Sequence, residues 1–124
     1  MGAYVVVSCI KSAFTVVRVG AAVELLTDML VDAADFPSGR KGRLRIVWKN
    51  DGNNTNYMDL YDRFGVAAVA ASEESEAMAT NVWEVTETTT PFTLPEGIKS
   101  FQARLWVSAG TMTVDKIELQ VESG

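Results

Sequence analysis

Three features of the sequence predict an all-β fold, an antiparallel sandwich or barrel of about eight or nine strands. β-Branched and aromatic residues recur in short runs, and Gly, Pro, Asn, Asp and Ser separate them. The runs follow one another at the spacing of sandwich and barrel strands. In the last part of the chain, Phe101, Ala103, Leu105 and Val107 alternate with Gln102, Arg104, Trp106 and Ser108. That is the period of a strand with one covered face.

Strands are expected, in order, over Tyr4 to Ile10, Ala13 to Val19, Val23 to Val31, Arg43 to Lys49, Tyr57 to Tyr61, Gly65 to Ala70, Val82 to Thr88, Ser100 to Ser108 and Thr111 to Val121. The first two lie in an apolar stretch, residues 1–20, which reads as one or two strands or as an arm docking on the body or on a neighbouring subunit. Its composition is that of a secretion signal, but Lys11 and Arg18 interrupt it and no basic residue precedes it. No cleavable signal peptide is therefore expected, and the stretch is too short to span a bilayer.

In the fourth run Leu44, Ile46 and Trp48 form an inner face, while Arg43, Arg45, Val47 and Lys49 form the outer one. Asn50-Asp51-Gly52-Asn53-Asn54 then turns the chain, because these residues tolerate positive φ. Asn53-Asn54-Thr55 matches a glycosylation sequon, and it also reads simply as a turn ending in Thr. Residues 67–79 combine helix-favouring Ala, Glu and Met, so a strand followed by an acidic loop competes with a single helical turn. In Val82 to Thr88, Trp83 and Val85 share the face expected in the core, and Glu84, Thr86 and Thr88 the wet one. Pro37-Ser38-Gly39 and Pro95-Glu96-Gly97 mark loops.

The final pair reads as two antiparallel strands joined by a turn at Ala109-Gly110. On the return strand Ile117, Leu119 and Val121 face one way and Lys116, Glu118, Gln120 and Glu122 the other. Asp115 then falls on the inward parity. An unpaired carboxylate there would cost several kcal/mol, on the scale of about 3–5 kcal/mol for a buried unpartnered charge. Asp115 is therefore expected at an open strand end, beside an arginine, or on a cation.

At 124 residues, with 48% hydrophobic and 22% charged residues, the chain suits one folded domain over residues 1–124. The net charge of −5, without clustered Lys or Arg, disfavours a nucleic-acid partner. No segment reads as a membrane span. Cys9 is the single cysteine, so no internal disulfide can form, and it reads as an apolar strand thiol with no base beside it. The chain has no histidine, which excludes Ser-His-Asp and Cys-His nucleophilic sites. P-loop, GxGxxG, CxxC and HExxH motifs are also absent. Asp28, Asp32, Asp35, Asp59 and Asp62 offer carboxylates, but nothing in their spacing brings a hydrolytic pair together. No enzyme is expected.

Trp106 lies on the outward parity between Arg104 and Ser108. An exposed tryptophan on a sheet face stacks sugar rings or anchors protein contacts; a second layer or the amino-terminal arm covering it is the competing reading. Tyr57 and Tyr61 are candidate partners in such a contact surface, with Arg104. Trp48 shares the parity of Leu44 and Ile46 and belongs to the core.

From Gly42 onward the order of features resembles a jelly-roll β-sandwich of the kind found in carbohydrate-binding modules and in viral or phage structural proteins. The stretches that carry the resemblance are Arg43 to Trp48, Met58 to Asp62, Phe92 to Gly97 and Thr113 to Leu119, about two thirds of the chain when joined. In such carbohydrate-binding modules an Asp before the last strand often helps to hold a structural calcium, and Asp115 matches that position; Glu24, Asp28 or backbone carbonyls would have to supply the further oxygens. The opening motif of those modules is not found in the first forty residues. The resemblance implies a virion protein, a capsid decoration or tail accessory acting through contacts with copies of itself or a larger assembly, at a virion or extracellular surface. The alternative it implies is a glycan-binding module with Trp106 as the stacking residue.

Overall fold

The computed structural model describes residues 4–10, 14–17, 19, 24–25, 29–32, 39–95 and 98–122. They form two antiparallel sheets of six strands each. The first is centred on β5 (Lys41–Asn50) and β12 (Met112–Glu122), the second on β6 (Thr55–Asp62) and β11 (Ile98–Val107). Around the first pair lie β1 (Tyr4–Ile10), β2 (Phe14–Val16), β9 (Glu84–Glu87) and β10 (Phe92–Thr93). Around the second lie β3 (Glu24–Leu25), β4 (Met29–Asp32), β7 (Ala67–Ala68) and β8 (Glu74–Ala77).

The expected alternation builds the core. Leu44, Ile46, Trp48, Ile117, Leu119 and Val121 from the first sheet are fully buried against Met58, Leu60, Phe101, Ala103, Leu105 and Val107 from the second. Burying side chains of this size contributes roughly 1.5–3 kcal/mol each. The apolar N-terminal stretch pairs within its own chain: β1 and β2 both lie along β12, with Tyr4 opposite Glu122 and Phe14 opposite Val114.

The last two strands do not form a hairpin. β11 pairs with β6, β4 and β3, whereas β12 pairs with β1, β2 and β5, so the turn at Ala109-Gly110 carries the chain from one sheet to the other. The turn between β5 and β6 crosses in the same way. These side-by-side crossings give the sandwich its jelly-roll-like connectivity.

Asp115 is not inward. Pairing along β5 runs from Val114 opposite Trp48 to Lys116 opposite Val47, which leaves Asp115 as the extra residue of a β-bulge, exposed to solvent. A bulge resets the parity of a strand, so Met112 and Val114 point inward before it and Ile117, Leu119 and Val121 after it. The desolvation argument for a cation at Asp115 falls with its burial. Among the described residues no three His, Cys, Asp or Glu side chains come together to hold a metal ion; Asp28 lies outside the described residues.

The seventh expected strand is also reversed. Trp83 and Val85 are 47% and 52% exposed, while Thr86 and Thr88 are buried. Hydrogen bonding explains the inversion, because both threonines serve partners that a tight core otherwise leaves unpaired. Thr86 Oγ1 accepts the Trp48 Nε1–H at 2.9 Å and donates to Glu76 Oε1 at 3.1 Å, and Thr88 Oγ1 accepts from Leu44 N at 3.0 Å. The acidic segment expected as a loop or helical turn is itself strand β8, with Glu76 and Glu74 reaching the opposite sheet. Glu74 Oε1 accepts from Thr89 N at 2.7 Å. The carboxylates thus close one open side of the sandwich.

The outer face of the first sheet is a charge ladder. Arg43 Nη2 lies 3.2 Å from Glu87 Oε2, and Lys116 Nζ lies 2.9 Å from Glu118 Oε2. Gln120 donates to Glu118 Oε1 at 3.0 Å and accepts from Arg43 Nε at 2.7 Å. Burial pushes the Glu118 carboxyl up, but the hydrogen bonds from Lys116 and Gln120 and the charges of Lys116 and Arg45 outweigh it and hold the carboxyl below its ordinary value. These arginines are matched by carboxylates. Cys9, expected as a buried thiol, is exposed on the edge strand β1.

Candidate functional site

On the outer face of the second sheet, β6 and β11 bring three pairs of residues opposite each other: Tyr57 with Trp106, Asp59 with Arg104, and Tyr61 with Gln102. Directly opposed side chains on one face are close enough to interact. The Tyr57 and Trp106 rings stand parallel, 1° apart in plane with centroids 5.3 Å apart. Beside them Arg104 Nε donates to Asp59 Oδ1 at 2.7 Å and Nη2 to Asp59 Oδ2 at 2.5 Å. The Arg104 guanidinium also lies over the Tyr61 ring, 4.8 Å from its centroid. The hydrogen bonding to Asp59 holds Arg104 above its ordinary pKa, against the opposing effect of burial.

The four contact residues expected from the sequence, Trp106, Arg104, Tyr57 and Tyr61, thus form one continuous array. All four are half-buried. A cleft of about 340 Å³ opens over its aromatic end, lined by Tyr57, Trp106, Glu73, Ser108, Val107 and Val19. Val19 reaches this face through a parallel bridge to Val107 and is 57% exposed.

Two members of the site were not assigned from the sequence. Asp59, counted there among scattered carboxylates, is 4% exposed and engaged by Arg104. Its outward parity opposite Arg104 was a usable signal once the register of β6 against β11 was known. Glu73 carries no local signal, since a loop brings it to the cleft. Ser72 fixes that loop: its Oγ accepts from Leu60 N at 3.0 Å and donates to Leu60 O at 3.3 Å. Asp62 is committed elsewhere, with Oδ1 accepting from Phe64 N and Gly65 N at 3.0 Å each. Asp28 and Asp35 lie outside the described residues.

No protein-family model matches the sequence, and no curated protein matches it significantly. Solved structures do match. One is the structure of infectious bursal disease virus, Gt strain, at a TM-score of 0.65 and 9% identity, covering 99% of this chain and 33% of that one. A second is the carbohydrate-binding module of Cellvibrio mixtus lichenase 5A, in complex with cellotriose, at 0.57 and 12%, covering 97% of this chain and 99% of the module. A third is an insecticidal delta-endotoxin of Bacillus thuringiensis, at 0.62 and 16%, covering 90% of this chain and 20% of the toxin. The chain therefore spans a fifth to a third of the toxin and the viral protein. Likeness at these identities is one of fold: the chain is a jelly-roll-like β-sandwich similar to viral capsid and carbohydrate-binding domains.

Proposed function

We propose that this protein is a non-enzymatic binding module and that the cleft over Tyr57 and Trp106 takes a sugar ring of a glycan. The observation that carries the reading is the parallel aromatic pair forming one wall of a cleft of about 340 Å³ whose other lining includes the Glu73 carboxylate and the Ser108 hydroxyl. A pyranose needs both kinds of surface, an apolar plane for its C–H face and polar groups for its hydroxyls. Ser108 Oγ already accepts from Thr55 N at 2.9 Å, which orients it.

Trp106→Ala is expected to abolish glycan-array binding while leaving the thermal unfolding transition cooperative. A wild-type protein that binds no glycan, with or without calcium, would sink the reading.

A second reading is favoured by a separate observation. Val82, Trp83 and Val85, in and next to β9, are 46%, 47% and 52% exposed, and Val5 and Val6 on edge strand β1 are 44% and 49% exposed. Apolar side chains on sheet edges are commonly covered by a partner. This supports an assembly role, a virion decoration or tail accessory associating with copies of itself or with a larger particle, and a surface location is common to both readings. Light scattering over a concentration series should show association that Trp83→Ser with Val85→Ser weakens at least about tenfold, the scale of losing a buried aromatic contact. A monomer at every concentration rules out self-association.

A further inference from the structure

The charge of the cleft narrows its ligand. Of the described residues lining it, Glu73 alone carries a formal charge. A neighbouring cation, Arg104, is engaged by Asp59 through two hydrogen bonds and lies over the Tyr61 ring, and Glu73 acts on it only through a weaker Coulombic pull. Its described lining thus holds one exposed carboxylate beside two aromatic rings, on a protein of net charge −5. We infer that it selects amino sugars carrying a free, protonated amine over neutral sugars, and neutral sugars over acidic ones. The inference rests on the glycan reading above and names the class of glycan.

The physical basis is additive. An ammonium group seated in the cleft meets the Glu73 carboxylate, and it is attracted by the ring face that the stacked Trp106–Tyr57 pair turns to it. An N-acetyl group in the same place carries no charge to answer either, and a uronate carboxylate is repelled by Glu73 with no cation among the described lining residues to receive it. An exposed ion pair of this kind is worth about fivefold in affinity, and salt weakens it.

Calorimetric titration of the intact protein with short oligomers of glucosamine, N-acetylglucosamine, glucose and galacturonate tests the order. The glucosamine oligomer is expected to bind about fivefold more tightly than the two neutral ones, with galacturonate weakest. Glu73→Gln, a change at an exposed position outside the strands, should bring the glucosamine and neutral affinities together. Glu84→Gln, an acid on the other sheet, should leave the preference in place and so separate a local effect from the overall negative charge. Equal affinity for charged and neutral oligomers, or a preference that survives Glu73→Gln, overturns the amine selectivity while leaving glycan binding standing. No binding of any oligomer overturns both.

Discussion

Arg104→Ala lowers the unfolding free energy by about 3 kcal/mol, read from the midpoint of urea denaturation at constant slope. The loss comes from what is left behind. Asp59 is 4% exposed and its carboxylate is paired by Nε and Nη2 of Arg104, so removing the arginine leaves a buried charge without that partner. Arg104 itself keeps 23% of its side chain exposed, and part of the solvent screening survives, which places the effect at the lower end of the range for breaking a buried pair. Because the cost lies in the unpaired carboxylate, the double variant Arg104→Met with Asp59→Leu recovers most of the stability. A double variant as unstable as Arg104→Ala would show that the ion pair contributes through something other than mutual compensation.

Gly110→Ala costs a comparable amount, about 3 kcal/mol, for two reasons that a second glycine separates. Gly110 has φ +73°, where a side chain costs about 1–2 kcal/mol. A Cβ there would also come within 2.5 Å of Asp51 Oδ1, 2.7 Å of Asn54 Nδ2 and 2.9 Å of Asn50 Oδ1. Those atoms cannot simply swing away. Asp51 Oδ1 accepts from Thr111 N at 2.9 Å, and Asn50 Oδ1 accepts from Gly52 N and Asn54 Nδ2 at 3.0 Å each. Asn50 Nδ2 donates to Asn56 Oδ1 at 2.9 Å and to Ala109 O at 3.2 Å, so the two turns that cross between the sheets are tied into one polar cluster. Gly39 has φ +80°, and a Cβ added to it would meet nothing within 4 Å, so Gly39→Ala carries the backbone cost alone, about 1 kcal/mol. Equal thermal shifts for the two variants would remove the steric part of the argument.

That same cluster shows what the Asn-rich turn does. Asn53, the first residue of the sequon, accepts from Thr80 N at 2.9 Å and from Thr80 Oγ1 at 3.0 Å. Its side chain braces one loop against another. The turn residues were legible from their tolerance of positive φ, but their partners were not, since Thr80 and Thr111 lie far away in the chain.

Where sequence and structure part, the cause is shared. Asp115 looked inward because alternation was extended unbroken along β12, and a bulge opposite Trp48 and Val47 resets it. Trp83 looked buried because it is large and apolar, yet it stands on the solvent side with Lys49 Nζ 5.0 Å from its ring centre. The threonines took the inner side because the Trp48 indole and the Leu44 amide need acceptors there. Strands β8 and β10 went unassigned because each is short and owes its extended form to the longer strand beside it.

The alternation of side chains two residues apart and the chemistry of the turns are local properties, and from them the sequence alone determined the all-β class, most strands, the core residues of β5 and β11, and the outward parity of Arg104 and Trp106. Pairing between strands is decided by contacts across the chain, as with Arg104 and Asp59, 45 residues apart. Only the tertiary structure could therefore place β11 and β12 in different sheets, bulge Asp115 into solvent, and bring Glu73 and Val19 to the cleft over the two stacked rings.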